Sequence, residues 1–151
     1  MDFLVNLLTN PYLLTALTGW FVAQVLKVII HLIVNKEFSL ERMVGDGGMP
    51  SGHSATVSSL AVITALIKGP GSFEFAIAGI LAIIVCHDAM GVRQETGKQA
   101  QILNELITIF ESKDLPEVKL KELVGHTPLQ VLMGILLGIA TAVGMYFLLF
   151  V

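Results

Sequence analysis

The longest apolar runs constrain this chain more than any motif does. Tyr12 to Val34 carries a single formal charge, Lys27, and Pro128 to Val151 carries none. A helix rises about 1.5 Å per residue, so either run can cross a hydrocarbon layer of about 30 Å, where every backbone N–H and C=O must be satisfied within the span. The rest of the chain follows suit, at 54% hydrophobic, 14% charged and a mean hydropathy of +0.79, far more apolar than an ordinary globular domain. An all-α integral membrane bundle of about four spans is predicted, with residues 1–151 forming one domain because short loops leave no room for a second core. A formal charge of −3 and the lack of a basic run argue against a nucleic-acid partner. Asp2 stands where a cleaved signal would carry Lys or Arg, so the first apolar run is read as retained. Cys86, the single cysteine, cannot form an internal disulfide.

Residues 2 to 10 read as a short amphipathic lead-in, and Pro11 opens a first span over Tyr12 to Val34. Within it Gln24, Lys27 and His31 share one helical face at spacings of three and four. A lysine at this depth costs roughly 3 kcal/mol unless it meets protein or water, so the stripe is read as facing a site, with a snorkelling Lys27 as the alternative. The second span, His53 to Ile67, is short and rich in Ser, Thr and Ala, which let membrane helices approach closely. The turn KGPGS, Lys68 to Ser72, leads to a third span over Phe73 to Met90, where His87 is read as a packed side chain. Beyond it Ala100, Leu103, Leu106, Ile107 and Phe110 recur at helical spacing and predict an interfacial amphipathic helix. The charges of 111 to 122 read as a solvated loop. Thr127 and Pro128 suit the N-cap and first position of a fourth span, whose Gly134, Gly138 and Gly144 favour close packing.

Polar chemistry gathers at one end of these spans. In GGMPSGHSA, Gly47 to Ala55, Pro50 fixes a dihedral, Gly52 admits a ligand close to the backbone, Ser51 suits an N-cap and His53 falls in the first helical turn. The free N–H groups of a helix start, its dipole, a hydroxyl and an imidazole make a cup for an anion, most often phosphate. The fourth span begins on the same side beside His126, and the third ends there in CHDAMGVRQETGK, bringing Asp88, Arg93 and Lys98, while Lys27 approaches from below. Arg offers a planar fork to phosphate oxygens and Lys a point charge. Asp88 could equally form a structural pair with Arg93 or Lys98. One imidazole can attack phosphorus while the other, protonated, donates to the leaving oxygen, which gives a phosphohistidine that water cleaves. No pair among His53, His87, Asp88 and His126 has metal-ligand spacing, so no metal or other cofactor is expected. Outside the spans this face carries seven basic residues, Lys36, Arg42, Arg93, Lys98, Lys113, Lys119 and Lys121, against Lys68 alone opposite, which assigns the motif face to the cytoplasm.

GGMPSGHSA, DAMGVRQETGKQAQILNEL and GHTPLQVLMGILLG, in that order, resemble the divergent bacterial and plastid branch of the type 2 phosphatidic acid phosphatase superfamily, related to vanadium-dependent haloperoxidases. The similarity covers residues 20 to 140. It implies that His53 is the general acid, that Ser51 and Gly52 help bind phosphate, and that His126 is the nucleophile. It also implies metal-free hydrolysis of phosphomonoesters or diphosphates, often on lipids, in a bacterial cell membrane. The chain departs from that pattern in three places. Val34 stands where Arg-Pro would follow Lys27, Leu120 replaces the arginine ahead of His126, and Gln130 replaces the aspartate one turn after it. Asp88 and Arg93 are the candidates to stand in for the missing groups. The expected substrate is a phosphorylated lipid such as phosphatidylglycerophosphate, phosphatidate or an isoprenyl diphosphate; the alternative is a non-catalytic protein that binds or moves one. Four spans are few for enclosing a lipid site and leave room for a homodimer through the small-residue faces of the second and fourth spans.

Overall fold

The computed structural model describes residues 2–36, 48–110, 120 and 125–151, excepting the side chains of residues 93, 94 and 110. Most of the loops expected at 35–48 and 111–126 lies outside the described residues. Among the described residues six helices follow in order: α1 Asp2–Leu8, α2 Pro11–Asn35, α3 Gly52–Lys68, α4 Phe73–Met90, α5 Val92–Phe110 and α6 Pro128–Phe150. No strand occurs among the described residues. Asn10 caps α2 by accepting from the N–H groups of Tyr12 and Leu13 at 3.0 and 3.2 Å, and Pro11 at the first position needs no partner for its nitrogen.

Among the described residues three helical stretches are long and apolar enough to cross a membrane: Pro11–Asn35, Phe73–Ile109 and Pro128–Phe150. Helix α3, with 17 residues, spans only about 25 Å. It is the centre of the bundle, packed against α2, α4 and α6, so its polar surface meets protein and its neighbours present the apolar faces. Side chains such as Phe21, Ile33, Ile80, Ile83, Leu132 and Phe147 point outward, an arrangement suited to lipid rather than water.

Small residues bring α3 and α6 together. A Cβ on Gly134 would stand 2.5 Å from the Ser51 carbonyl oxygen, and one on Gly138 would stand 2.6 Å from that of Ala55. The two helices therefore touch backbone to backbone, and the ascending order of both sets of contacts makes them parallel. Ser59 Oγ secures the contact by donating to the Gly138 carbonyl at 3.2 Å and to that of Ala55 at 2.7 Å. Gly144, expected to pack likewise, has open space around it; ten residues beyond Gly134 the helix has turned away, and Ala142 takes the buried place instead. Helix α2 runs opposite to α3, with Gly19 against Ser59 and Gln24 beside Gly52. Below the site Val57, Cys86, Ala89 and Val131 close a compact apolar cluster.

Helix α5 is the expected amphipathic helix, following α4 after Gly91 and turning the buried Ala100 inward while Ile102 and Leu103 remain exposed. Its Asn104 side chain exchanges two hydrogen bonds of 2.9 Å with the backbone of Leu120, which anchors the chain shortly before it enters the site.

Candidate functional site

Two parallel helix starts form the site. At the first, Gly48 adopts φ +85°, a left-handed conformation that a side chain would strain. A Cβ there would also come within 3.3 Å of Lys27 Cγ. Ser51 caps α3, its Oγ accepting from Ser54 N–H at 3.3 Å and from Ser54 Oγ at 3.0 Å. Its own N–H donates to the Gln130 carbonyl at 3.0 Å, so the start of α3 is fastened to the first turn of α6.

At the second start Gly125, at φ +91°, turns the chain into His126. Thr127 caps α6 within a reciprocal box: its Oγ accepts from Gln130 N–H at 3.4 Å, and Gln130 Oε1 accepts from Thr127 N–H at 3.0 Å. The same Oε1 lies 3.3 Å from His126 Nδ1. An amide oxygen only accepts, so the bond places the hydrogen of a neutral ring on Nδ1 and the lone pair on Nε2. Backbone N–H of His126 donates to the Ala89 carbonyl at 3.0 Å, tying the loop to the last turn of α4 immediately beside Asp88.

The rings of His53 and His126 lie 6.2 Å apart between centroids, with planes inclined at 62°. In-line phosphoryl transfer needs a nitrogen about 3 Å from phosphorus and a proton donor about 3 Å from the leaving oxygen, which rings at this separation can supply. His126 is buried, at 3% exposure, while His53 is half-buried and more accessible. Neither α3 nor α6 has an acidic residue in its first turn, so no carboxylate there offsets the positive ends of their dipoles.

The other expected residues divide. Lys27, only 5% exposed, lies with its stem against Gly48 beneath the α3 start, so the buried rather than the snorkelling placement holds. Along the same stripe His31 is half-buried and Gln24 is 7% exposed. Gly52 is buried at the start of α3, and Asp88 is half-buried in the last turn of α4. Arg93 belongs to the first turn of α5, and its side chain lies outside the described residues. Lys98 is not brought to the imidazoles by any contact; it is exposed, with Nζ 2.7 Å from Glu95 Oε1 on the same face of α5. Helical phase makes this pair, since residues three apart adjoin on a helix. His87, expected to be packed, is exposed, because it continues the outward row of Ile80, Ile83 and Ile84 while Cys86 and Ala89 turn inward. Among the described residues no three of His, Cys, Asp and Glu converge in a metal-holding group.

Two features of the site go beyond the residues singled out by the motifs. Thr127-x-x-Gln130 has the spacing of a capping box, a signal that assigns the Gln130 side chain to the backbone beside His126. The second is Gln24 Oε1, which is buried with no hydrogen-bond partner among the described residues, a condition that costs about 1–3 kcal/mol.

Residues 8–141 match the Divergent PAP2 family. This chain belongs to the Divergent PAP2 family. A relative, the uncharacterized membrane protein YuiD of Bacillus subtilis (strain 168), is 42% identical over 147 residues, 89% of this chain and 93% of YuiD. No solved structure gives a significant match. The chain is thus an integral membrane protein of a phosphatase-related superfamily, and within this Divergent PAP2 member the ordered motifs meet at the ends of α3, α4 and α6.

Proposed function

We propose that this protein hydrolyses the phosphate of a membrane lipid at its paired helix starts, on the cytoplasmic face of a bacterial cell membrane, with the whole chain acting as one phosphatase-like unit. The observation that carries the reading is the His53–His126 pair, 6.2 Å apart at two parallel helix N-termini without acidic residues in their first turns. In the first step the lone pair of His126 Nε2 forms a bond to phosphorus as the bond to the leaving oxygen breaks, and His53 gives that oxygen its proton. In the second, water attacks phosphorus, His53 takes the water's proton, and the P–N bond breaks to release phosphate and free His126. Lys27, Arg93, the Gly52 N–H and the hydroxyl hydrogen of Ser51 hold the phosphoryl oxygens, and Asp88 positions the loop that carries His126. None of these steps calls on a metal or other cofactor.

The lipid enters from the side. Helix α2 continues beyond Lys27 to Asn35, about 12 Å, so the site is recessed below the helix ends, where a headgroup can reach it while acyl chains stay in the bilayer. Phosphatidylglycerophosphate, phosphatidate and isoprenyl diphosphates share that chemistry. Phosphate release from this panel by detergent-solubilised protein tests the reading. Wild type is expected to hydrolyse at least one lipid, and His126→Ala and His53→Ala are each expected to lose about 10²–10⁴-fold. Undiminished release by the double variant would sink it.

A second reading, a binder or carrier of phosphorylated lipid, is favoured by the neutral partner of His126. An amide orients an imidazole but stabilises its protonated form less than a carboxylate does. A binder would gain heat resistance with phosphate or vanadate and release no phosphate from any lipid.

A further inference from the structure

The site is furnished mainly with donors. The N–H groups of Gly52 and His53 at the start of α3, the Lys27 ammonium and a protonated His53 ring offer hydrogens to an anion. Acceptors are fewer: the Nε2 lone pair of His126, the nearby Asp88 carboxylate and the side-chain oxygen of Gln24. Gln24 lies on the same face of α2 as Lys27, one turn before it, and is 7% exposed. Its Oε1 would be 3.8 Å from a Cβ built on Gly52, so the carboxamide lies against the first residue of α3. That oxygen has no partner among the described residues. A buried acceptor held beside an anion site awaits a donor, and a fully deprotonated anion has none to give.

We propose that Gln24 is a substrate-contacting residue whose carboxamide oxygen accepts a hydrogen bond from a P–OH group, so that the site selects a singly protonated phosphate or phosphomonoester over a tetrahedral anion without a proton. The inference rests on the phosphate reading of the site and specifies which ionic form it takes. A phosphomonoester has its second pKa near 6, so its P–OH form is present around neutral pH, whereas sulfate has the same shape and no proton. Lys27 and Gln24 then divide the ligand between them: the ammonium meets a charged oxygen and the amide meets the protonated one. Discrimination by an unpaired acceptor is steep, because a ligand lacking the hydrogen leaves the buried oxygen unsatisfied in the complex as well.

The test compares inorganic phosphate with sulfate as ligands of the full-length, detergent-solubilised protein, with apparent affinities taken from ligand-dependent rises in Tm. Wild type is expected to bind phosphate at least tenfold more tightly than sulfate. Gln24→Met, close in shape and without the acceptor, is expected to narrow that ratio to about threefold or less while its unliganded Tm holds or rises. Gln24→Glu, which still accepts a P–OH hydrogen, is expected to keep the tenfold preference even as its charge weakens both anions. A Gln24→Met protein with a lower Tm and an intact ratio would make Gln24 a packing residue and overturn the inference, as would equal ratios in Gln24→Met and Gln24→Glu. If neither phosphate nor sulfate protects wild type, the phosphate reading itself has failed and this inference goes with it. Protection of wild type and Gln24→Met with one shared ratio removes only the role of Gln24.

Discussion

Helices α3, α4 and α6 each begin on a Ser or Thr cap, yet their starts differ in what surrounds them. At the start of α4, Ser72 Oγ accepts from Phe75 N–H at 3.2 Å, and Glu74 follows in the first turn with Lys68 Nζ 3.8 Å from its carboxylate. Both charged side chains are about half exposed. That start is complete: a hydroxyl takes an N–H and a carboxylate meets the dipole. The starts of α3 and α6 have the cap without the carboxylate; His53 stands at the position in α3 that Glu74 has in α4, and His126 stands just ahead of the α6 cap. On the function proposed above, a helix start becomes a place for an anion when the chain supplies the hydroxyl and withholds the acid. Ordering by packing separates the two ends as well, since α3 and α6 touch through glycine while the turn at Gly69 to Ser72 has open space at both Gly69 and Gly71.

The largest expected effect breaks the packing half of that contrast. Gly134→Leu would drive a side chain into the Ser51 carbonyl, whose oxygen would lie 2.5 Å from the first added carbon, and should cost about 3 kcal/mol together with all anion-dependent protection. Gly144→Leu faces open space and should change stability by less than about 0.5 kcal/mol. Thermal unfolding in detergent decides; similar losses at the two glycines would mean that α3 and α6 do not meet as described. Next in size is Gln130→Leu, which removes the acceptor for both Thr127 N–H and His126 Nδ1. It should cost about 1–2 kcal/mol and reduce phosphate release by about 10²-fold, while Gln130→Glu, which keeps an acceptor at the same reach, retains stability.

The contrast also explains what the sequence could and could not disclose. Spans were legible because an apolar run in a bilayer has one outcome, a helix, and the caps at Ser51 and Thr127 announced where α3 and α6 begin. The meeting of His53 with His126 was legible only through topology, which puts both starts on one side without fixing 6.2 Å. Side-chain direction was harder. A charged amphipathic helix such as α5 reads the same whether Lys98 turns to the site or to Glu95, and three residues of spacing favoured Glu95. His87 misled because an apolar run suggests burial, whereas in a membrane the apolar side of α4 is its outer side. Gln24 could be placed on the stripe by spacing, but an unpartnered oxygen is a property of three-dimensional neighbours and leaves no mark in the sequence.

A third variant sharpens the electrostatic half. Leu129 is exposed in the first turn of α6, so Leu129→Glu gives that helix the acid that Glu74 gives α4. The dipole should favour it by about 0.3–1 kcal/mol, holding or raising the Tm of the free protein. The same charge should weaken phosphate-dependent protection about threefold to tenfold by repulsion. Unchanged protection would show that the α6 start is not part of what holds the anion.

The smallest effect belongs to the completed start. Glu74→Gln keeps the Ser72 cap and removes only the charge, so the loss should be about 0.3–1 kcal/mol. Little of it comes from Lys68, because exposed ion pairs are worth less than about 1 kcal/mol, and at 3.8 Å this one is long. The dipole account therefore predicts that the loss shrinks with added salt, the Debye length falling from about 10 Å at 0.1 M to about 3 Å at 1 M. Phosphate-dependent protection should stay at its wild-type value, since the carboxylate lies at the opposite end of α4 from His126. A fall in that protection would tie the two ends together and undo the claim that only the uncharged starts make a site.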